Sequence, residues 1–203
     1  MTGRRCFGDG DPLMEHYHDE EWGYPTTDEQ GLFELLTLEA FQSGLSWRTI
    51  LARRPGFRTA FAGFQPETLE AFGARQVTRL LADASIIRNR AKIEATIANA
   101  QAVVRLRATG MSLWTLVRAH APQSPLRAPA NWADVPAKTT ESDALARDLE
   151  RCGFRFVGPT TAYALMQAAG VVNDHLTDCP ARPAAERARR AAGMPTEPRP
   201  ATV

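Results

Sequence analysis

An all-α fold is predicted for this 203-residue chain. No stretch alternates apolar and polar residues over six positions, so no substantial sheet is expected. Apolar residues recur at helical spacing, and capping residues, prolines and glycines stand where helices would start and stop. The length suggests one domain, large enough to bury a core without needing a metal merely to fold.

Taken in order, Thr27 to Gln30 has capping-box spacing and opens a helix that runs to about Ser43, where Gly44 breaks it. Ser46 caps the next, "WRTILARR", which Pro55 and Gly56 are expected to stop. Short helices are predicted near 56–62, 66–72 and 74–83. The longest spans 88–109, with Ile93, Ile97, Ala100 and Val104 on one stripe. "SLWTLVRAHA" follows, then a Pro- and Ala-rich loop over 121–138 that still holds Trp132 and Val135. Two last helices, "ESDALARDLERCG" and "PTTAYALMQAAG", flank "FRFVG". Residues 1–180 are assigned to a single domain; 181–203 has little to bury and is expected to be a flexible tail. No run of about 18 apolar residues and no apolar signal core is present, so a cytoplasmic protein without a membrane partner is expected. Three cysteines, Cys6, Cys152 and Cys179, fit a reducing compartment.

Charge is unevenly spread. The net charge is +1, yet residues 9–47 hold ten acidic residues and no Lys or Arg. The rest of the chain is therefore basic, and a near-neutral total does not exclude nucleic acid. An unevenly charged solvated surface is the commoner cause of such a pattern.

Three groups of residues could carry chemistry. His175 and Cys179 are spaced i, i+4, which on a helical turn would place both on one face. Cys6 and His18 would complete a Cys2His2 set, which suits tetrahedral zinc in a closed, structural site. The spacing matches no short zinc-finger pattern, so ordinary buried cysteine and histidine remain an open reading. The second group centres on Glu39, which shares a helix face with Leu35 and Leu36. It is either a buried carboxylate, costly unless paired, or sits at the edge of the stripe beside Arg48. Trp47 and Tyr17 could then sandwich a flat polar ligand, although core packing is the commoner use of a Trp. The third group is the hairpin "CGFRFVGPTT". There Gly153 and Gly158 permit close backbone approach, and Thr160 lies in the first turn of a helix whose N–H groups could meet a phosphate.

Together "DPLMEHYHDEEWG", "LFELLTLEAFQSGLSW", "ASIIRNRAKIEATIANA" and "SDALARDLERCGFRFVGPTTAYALMQAAGVVNDH", with the later Cys179, resemble the 3-methyladenine DNA glycosylase I family, a branch of the helix-hairpin-helix glycosylases. The resemblance implies two helical lobes that hold DNA between them, and one structural Zn2+ at Cys6, His18, His175 and Cys179 clasping the N- and C-terminal segments. It implies hydrolysis of the N-glycosidic bond of 3-methyladenine in double-stranded alkylated DNA by a monomer, with the base flipped out of the helix. Glu39 is then the active-site carboxylate, an anion that hydrogen-bonds the edge of a cationic base. Trp47 stacks on that base, Tyr17 lines the pocket, and Leu45 is the wedge left in the duplex. Gly153, Gly158 and Thr160 belong to the DNA-binding hairpin, with Arg155, Arg88, Arg90 and Lys92 as candidate cations.

The chain departs from the family pattern in three places. Phe7 and Gly8 follow Cys6 where a Trp is usual, Met14 replaces a Tyr, and Asn173 stands where related glycosylases carry a catalytic Asp. Asp174 is expected to support or cap the metal ligand beside it. No lysine lies in the pocket stretches, so no lyase step is expected. A zinc-clasped DNA-binding module without catalysis is the alternative, and the presence of a base pocket argues against it.

Overall fold

The structure, a computed structural model, describes residues 4–124 and 127–196. It contains ten α-helices and no strand among the described residues: α1 (Pro12–Glu20), α2 (Glu29–Gln42), α3 (Trp47–Ala60), α4 (Pro66–Leu69), α5 (Ala74–Ala82), α6 (Arg90–Ala108), α7 (Leu113–Arg118), α8 (Thr140–Arg151), α9 (Pro159–Ala168) and α10 (Arg182–Ala191).

α2 is the axis of the molecule. Ten of its fourteen residues are buried, from Leu32 to Phe41, and it packs on α3, α6, α7 and α9. The burial runs around the helix and is wider than the predicted stripe, taking in Glu34, Thr37 and Glu39 with the apolar residues, as befits a helix inside a fold rather than on its surface. Its N-cap is Asp28, which accepts from Gly31 N at 2.7 Å, in place of the predicted Thr27 box. Around α2 the main core gathers Phe33, Phe41, Phe57, Phe61 and Phe64 with the apolar face of α6. On α6 Ile93, Ile97 and Ala100 are buried as predicted, whereas Val103 rather than Val104 completes the face.

Four other sequence expectations are corrected. α1 was not anticipated, although Asp11 caps it and Pro12 opens it. α3 does not stop at Pro55. It runs to Ala60 because the burial of Phe57 and Ala60 outweighs the hydrogen bond that proline forfeits. The loop 121–138 contains a short 3-10 turn at Trp132–Asp134.

The fourth correction concerns the start of the tail, which is the packed helix α10. Arg189 donates to the carbonyls of Gly170 and Val171 at 3.0 Å each, and Arg182 to those of Asn173 and His175 at 3.1 and 2.6 Å. The last part of the predicted tail, 197–203, lies outside the described residues. The loop these arginines hold is tightly seated. Gly170 has φ +65, and a Cβ there would stand 2.4 Å from the carbonyl carbon of Tyr24. Only glycine lets the 23–25 strand of chain cross at that distance.

Candidate active site

Glu39 lies on the third turn of α2 and is only 6% exposed. Its carboxylate has no hydrogen bond or ion pair among the described residues. Arg48, the alternative partner, is exposed and pairs with Asp11. Burial alone pushes the Glu39 carboxyl up to about 8, so the free protein holds it largely protonated at neutral pH. The charge of Glu39 reaches Tyr17, whose ring lies 5.2 Å from that of Trp47 at 52°. Tyr17 is buried, and its phenol is raised by that burial first, then by the charges of Glu39 and Glu21, with Arg54 acting the other way. Trp47 Nε1 is buried and unpartnered. A buried carboxyl and a buried N–H without partners are both costly. Tyr17 links them: Glu39 acts on its phenol and Trp47 packs on its ring.

Glu39 therefore costs stability when it ionises. Its folded value lies above its unfolded one, so between about pH 4.5 and 8 the folded state binds more protons, and stability falls as pH rises through that window. Denaturant titrations of wild type and Glu39→Gln should give similar midpoints at the acid end. By pH 8–9 the variant should be the more stable by about 3–5 kcal/mol. A difference that does not change with pH would show that Glu39 is solvated or paired.

Phe7 and Met14, the two departures at the pocket wall, pack on the small cluster of Tyr17, Trp22 and Leu51. Phe7 meets Trp22 edge-on at 5.1 Å and His18 at 4.8 Å. Behind the site Arg54 of α3 bonds Glu21 at 2.5 Å and also pairs with Glu34. It thus joins the C-cap of α1 to α2 and α3, the three helices that carry Tyr17, Glu39 and Trp47. Nothing local in the sequence marks this tie, since its partners are 33 and 20 residues away.

Cys6, His18, His175 and Cys179 converge, with ligand atoms all within 4.8 Å of one another. Cys179 Sγ lies 3.4 Å from His18 Nε2 and 3.4 Å from His175 Nδ1, and Cys6 Sγ lies 3.7 Å from His175 Nδ1. Zinc bonds of about 2.3 Å to sulfur and 2.0–2.1 Å to nitrogen give tetrahedral S–N edges of about 3.5 Å. The donor set thus fits a metal ion. The opposite ring nitrogens are oriented, His18 Nδ1 by Asp19 at 2.7 Å and His175 Nε2 by the Trp22 carbonyl at 2.9 Å. Asp19 is itself held by Arg5, and Trp132 Nε1 donates to the Cys6 carbonyl at 2.8 Å.

His175 and Cys179 do not share a helical turn; irregular backbone brings them together. Asp174 does not support the metal ligands. It accepts from Tyr163 Oη and Gln167 Nε2, both at 2.7 Å, on α9. Asn173 is the residue that braces His175, its Oδ1 accepting from His175 N at 3.2 Å.

α8 and α9 form a helical hairpin. Gly153, at φ +92, ends α8 with its N–H on the Glu150 carbonyl, and Phe154 N donates to Leu149 O. Asn99 of α6 pins Arg155 through both N–H and C=O. Gly158 is the N-cap of α9 and faces open space, with Thr160 exposed beyond it. Leu45 is 39% exposed in the turn between α2 and α3. Arg88, Arg90 and Arg155 are exposed, whereas Lys92 is buried and donates to the carbonyls of Phe41 and Ser43. It is therefore removed from the candidate DNA cations. The chain's other lysine, Lys138, is exposed and pairs with Asp143.

The fold and site define an all-helical protein with a buried, unpartnered carboxyl next to a packed Tyr–Trp pair. A family model described as methyladenine glycosylase matches residues 7–182, and the chain belongs to that family. It is 43% identical over 173 residues to DNA-3-methyladenine glycosylase 1 of Escherichia coli (strain K12), covering 83% of this chain and 91% of the relative. It is 40% identical over 186 residues to DNA-3-methyladenine glycosylase of Haemophilus influenzae (strain ATCC 51907 / DSM 11121 / KW20 / Rd), covering 90% and 99%. A solved structure of a variant 3-methyladenine DNA glycosylase I in complex with 3-methyladenine superposes with a TM-score of 0.82 at 34% identity, covering 88% of this chain and 96% of that one. No helix among the described residues is long and apolar enough to cross a membrane.

Proposed function

We propose that this protein is a DNA repair N-glycosylase that excises 3-methyladenine from alkylated double-stranded DNA by base flipping. The buried, unpartnered Glu39 carboxyl next to Tyr17, with Trp47 packed on that Tyr17, is the observation that carries this reading. Alkylation at N3 leaves the adenine of the nucleotide cationic. In the pocket that cation lowers the proton affinity of Glu39, whose proton passes to solvent, and the resulting carboxylate holds the base edge by charge-assisted hydrogen bonds. Trp47 stacks on the ring and Tyr17 closes one side.

The C1′–N9 bond breaks with its electron pair going to the base, which leaves neutral and needs no general acid. Water adds to C1′ and its proton passes to solvent. Neither lysine is offered for a Schiff base: Lys92 Nζ is engaged with two carbonyls and Lys138 stands on the surface with Asp143. This arrangement supports a monofunctional enzyme. Cys6, His18, His175 and Cys179 would hold one zinc ion, which would tie the N-terminal segment to the 171–179 loop and leaves no position open for catalysis. The α8–α9 hairpin is the DNA-binding motif of the helix-hairpin-helix superfamily. Leu45 is the wedge, and the protein works in the cytoplasm as a monomer.

Chromatography of bases released from methylated duplex DNA tests this reading. 3-Methyladenine should be released and unmodified adenine retained. DNA bound without any base released would leave only a binding module.

The hairpin makes its own prediction. Gly158 has φ −57 and room for a methyl group, so Gly158→Ala should fold normally. Its Cβ would stand where a phosphate approaches the N–H groups of α9. Duplex affinity should fall about 10- to 100-fold, on the scale of one or two charge-assisted hydrogen bonds, while binding of free 3-methyladenine is unchanged. Unaltered DNA affinity in a titration at moderate salt would reduce the hairpin to a structural corner.

A further inference from the structure

The C-terminal end of α2 has no basic residue in its own last turn, although its orphan carbonyls carry the negative end of the helix dipole. The missing cation comes from another helix. Lys92, near the start of α6 and 7% exposed, donates from Nζ to Phe41 O and to Ser43 O, both at 2.9 Å. Between those two acceptors the Gln42 carbonyl takes the N–H of Leu45 at 2.6 Å. Three successive carbonyls are thus tied off, two by one ammonium group. The turn they end in passes through Gly44 at φ +83 and enters α3 at Ser46, which caps it by accepting from Thr49 N. Leu45 stands out from this turn, fixed at both ends.

We infer that Lys92 is a positioning residue that presents Leu45 to the duplex. The inference rests on the reading of Leu45 as the wedge. The ammonium group is buried against carbonyls and cannot also meet a phosphate. Without it, the buried Phe41 carbonyl loses its partner and the helix end frays. The wedge then presses on the base stack from a loose support. A strand already unpaired needs no wedge, so the loss should be confined to duplex substrate.

The test is single-turnover excision by the metal-loaded full chain, from an alkylated duplex and from the same strand alone. Wild type, Leu45→Ala, Lys92→Met and Lys92→Arg are compared, with the salt dependence of duplex binding. Leu45→Ala and Lys92→Met should each slow duplex excision roughly tenfold, leave single-strand excision within about twofold, and keep the wild-type salt slope. Lys92→Arg, which keeps donors for both carbonyls, should recover most of the duplex rate. Equal losses on both substrates, a salt slope lower by about one, or a normal Lys92→Met beside an impaired Leu45→Ala would overturn the inference. A Leu45→Ala without a duplex-specific defect would instead remove the wedge reading itself. If Lys92→Met does not fold, Lys92→Gln replaces it: its shorter amide should give a partial, duplex-confined loss, and a loss shared by both substrates would count against the inference.

Discussion

Purified protein is expected to carry about one equivalent of zinc, and removing it is expected to cost about 4–6 kcal/mol, or roughly 10–20 °C in Tm for a chain of this size. The donor set is closed and three of its members, His18, His175 and Cys179, are buried. Two of the ligands come from the first eighteen residues and two from the 171–179 loop, so the ion would close a very long loop of chain. The loss should be smaller than the full binding energy of a zinc finger, because this chain has a large core of its own. Cys6→Ser and Cys179→Ser should both lose the metal. Cys152→Ser should keep it, since that thiol stands at the end of α8 outside the cluster. Elemental analysis and thermal melts before and after chelation check this. A preparation without metal that melts at the same temperature would show the cluster to be four ordinary side chains.

The second large effect is on chemistry. Glu39→Gln keeps shape and hydrogen-bonding capacity but cannot become an anion. Excision of 3-methyladenine should fall about 10- to 1000-fold, roughly 1.4–4 kcal/mol in barrier. The loss stays within that range because the departing base is already cationic and needs no proton. Truncating Tyr17 or Trp47 should cost about 1–3 kcal/mol each through lost stacking. Free 3-methyladenine should perturb tryptophan fluorescence, and Trp47→Phe should remove most of that change. Unmodified adenine, which offers no charge to the carboxyl, should bind far more weakly.

What the sequence made legible was whatever depends on residue type and short-range period. The Cys2His2 set could be listed from donor chemistry before any geometry was known, and spacing to Leu35 and Leu36 made an inward Glu39 one of two open readings, the one that the burial of its side chain selects. The helical hairpin followed from Gly153, Gly158 and Pro159. What stayed hidden depends on partners distant in the chain. α10 has no apolar stripe to betray it; it is buried through Arg182 and Arg189, whose guanidinium groups bond backbone carbonyls of the 170–175 loop. A basic, alanine-rich stretch looks the same whether it is solvated or bonded in this way. Lys92 read as a surface cation for the same reason, since nothing near it in sequence shows the end of α2 lying against it. Pro55 read as a stop because the local rule is correct and the core around Phe57 overrides it. Asp174 read as support for the metal because it adjoins His175, yet its side chain turns to α9 while Asn173 does the bracing.

Single-turnover release of 3-methyladenine by wild type, Glu39→Gln and Asp174→Asn, side by side on one alkylated duplex, tests the central claim most directly. Asn at 174 can still accept from Tyr163 Oη, so that variant should fold, keep its zinc and release base at close to the wild-type rate. Glu39→Gln should be slowed by the 10- to 1000-fold given above. If Asp174→Asn abolishes release with fold and zinc intact, while Glu39→Gln scarcely matters, the chemistry belongs to the other carboxylate and the account is wrong.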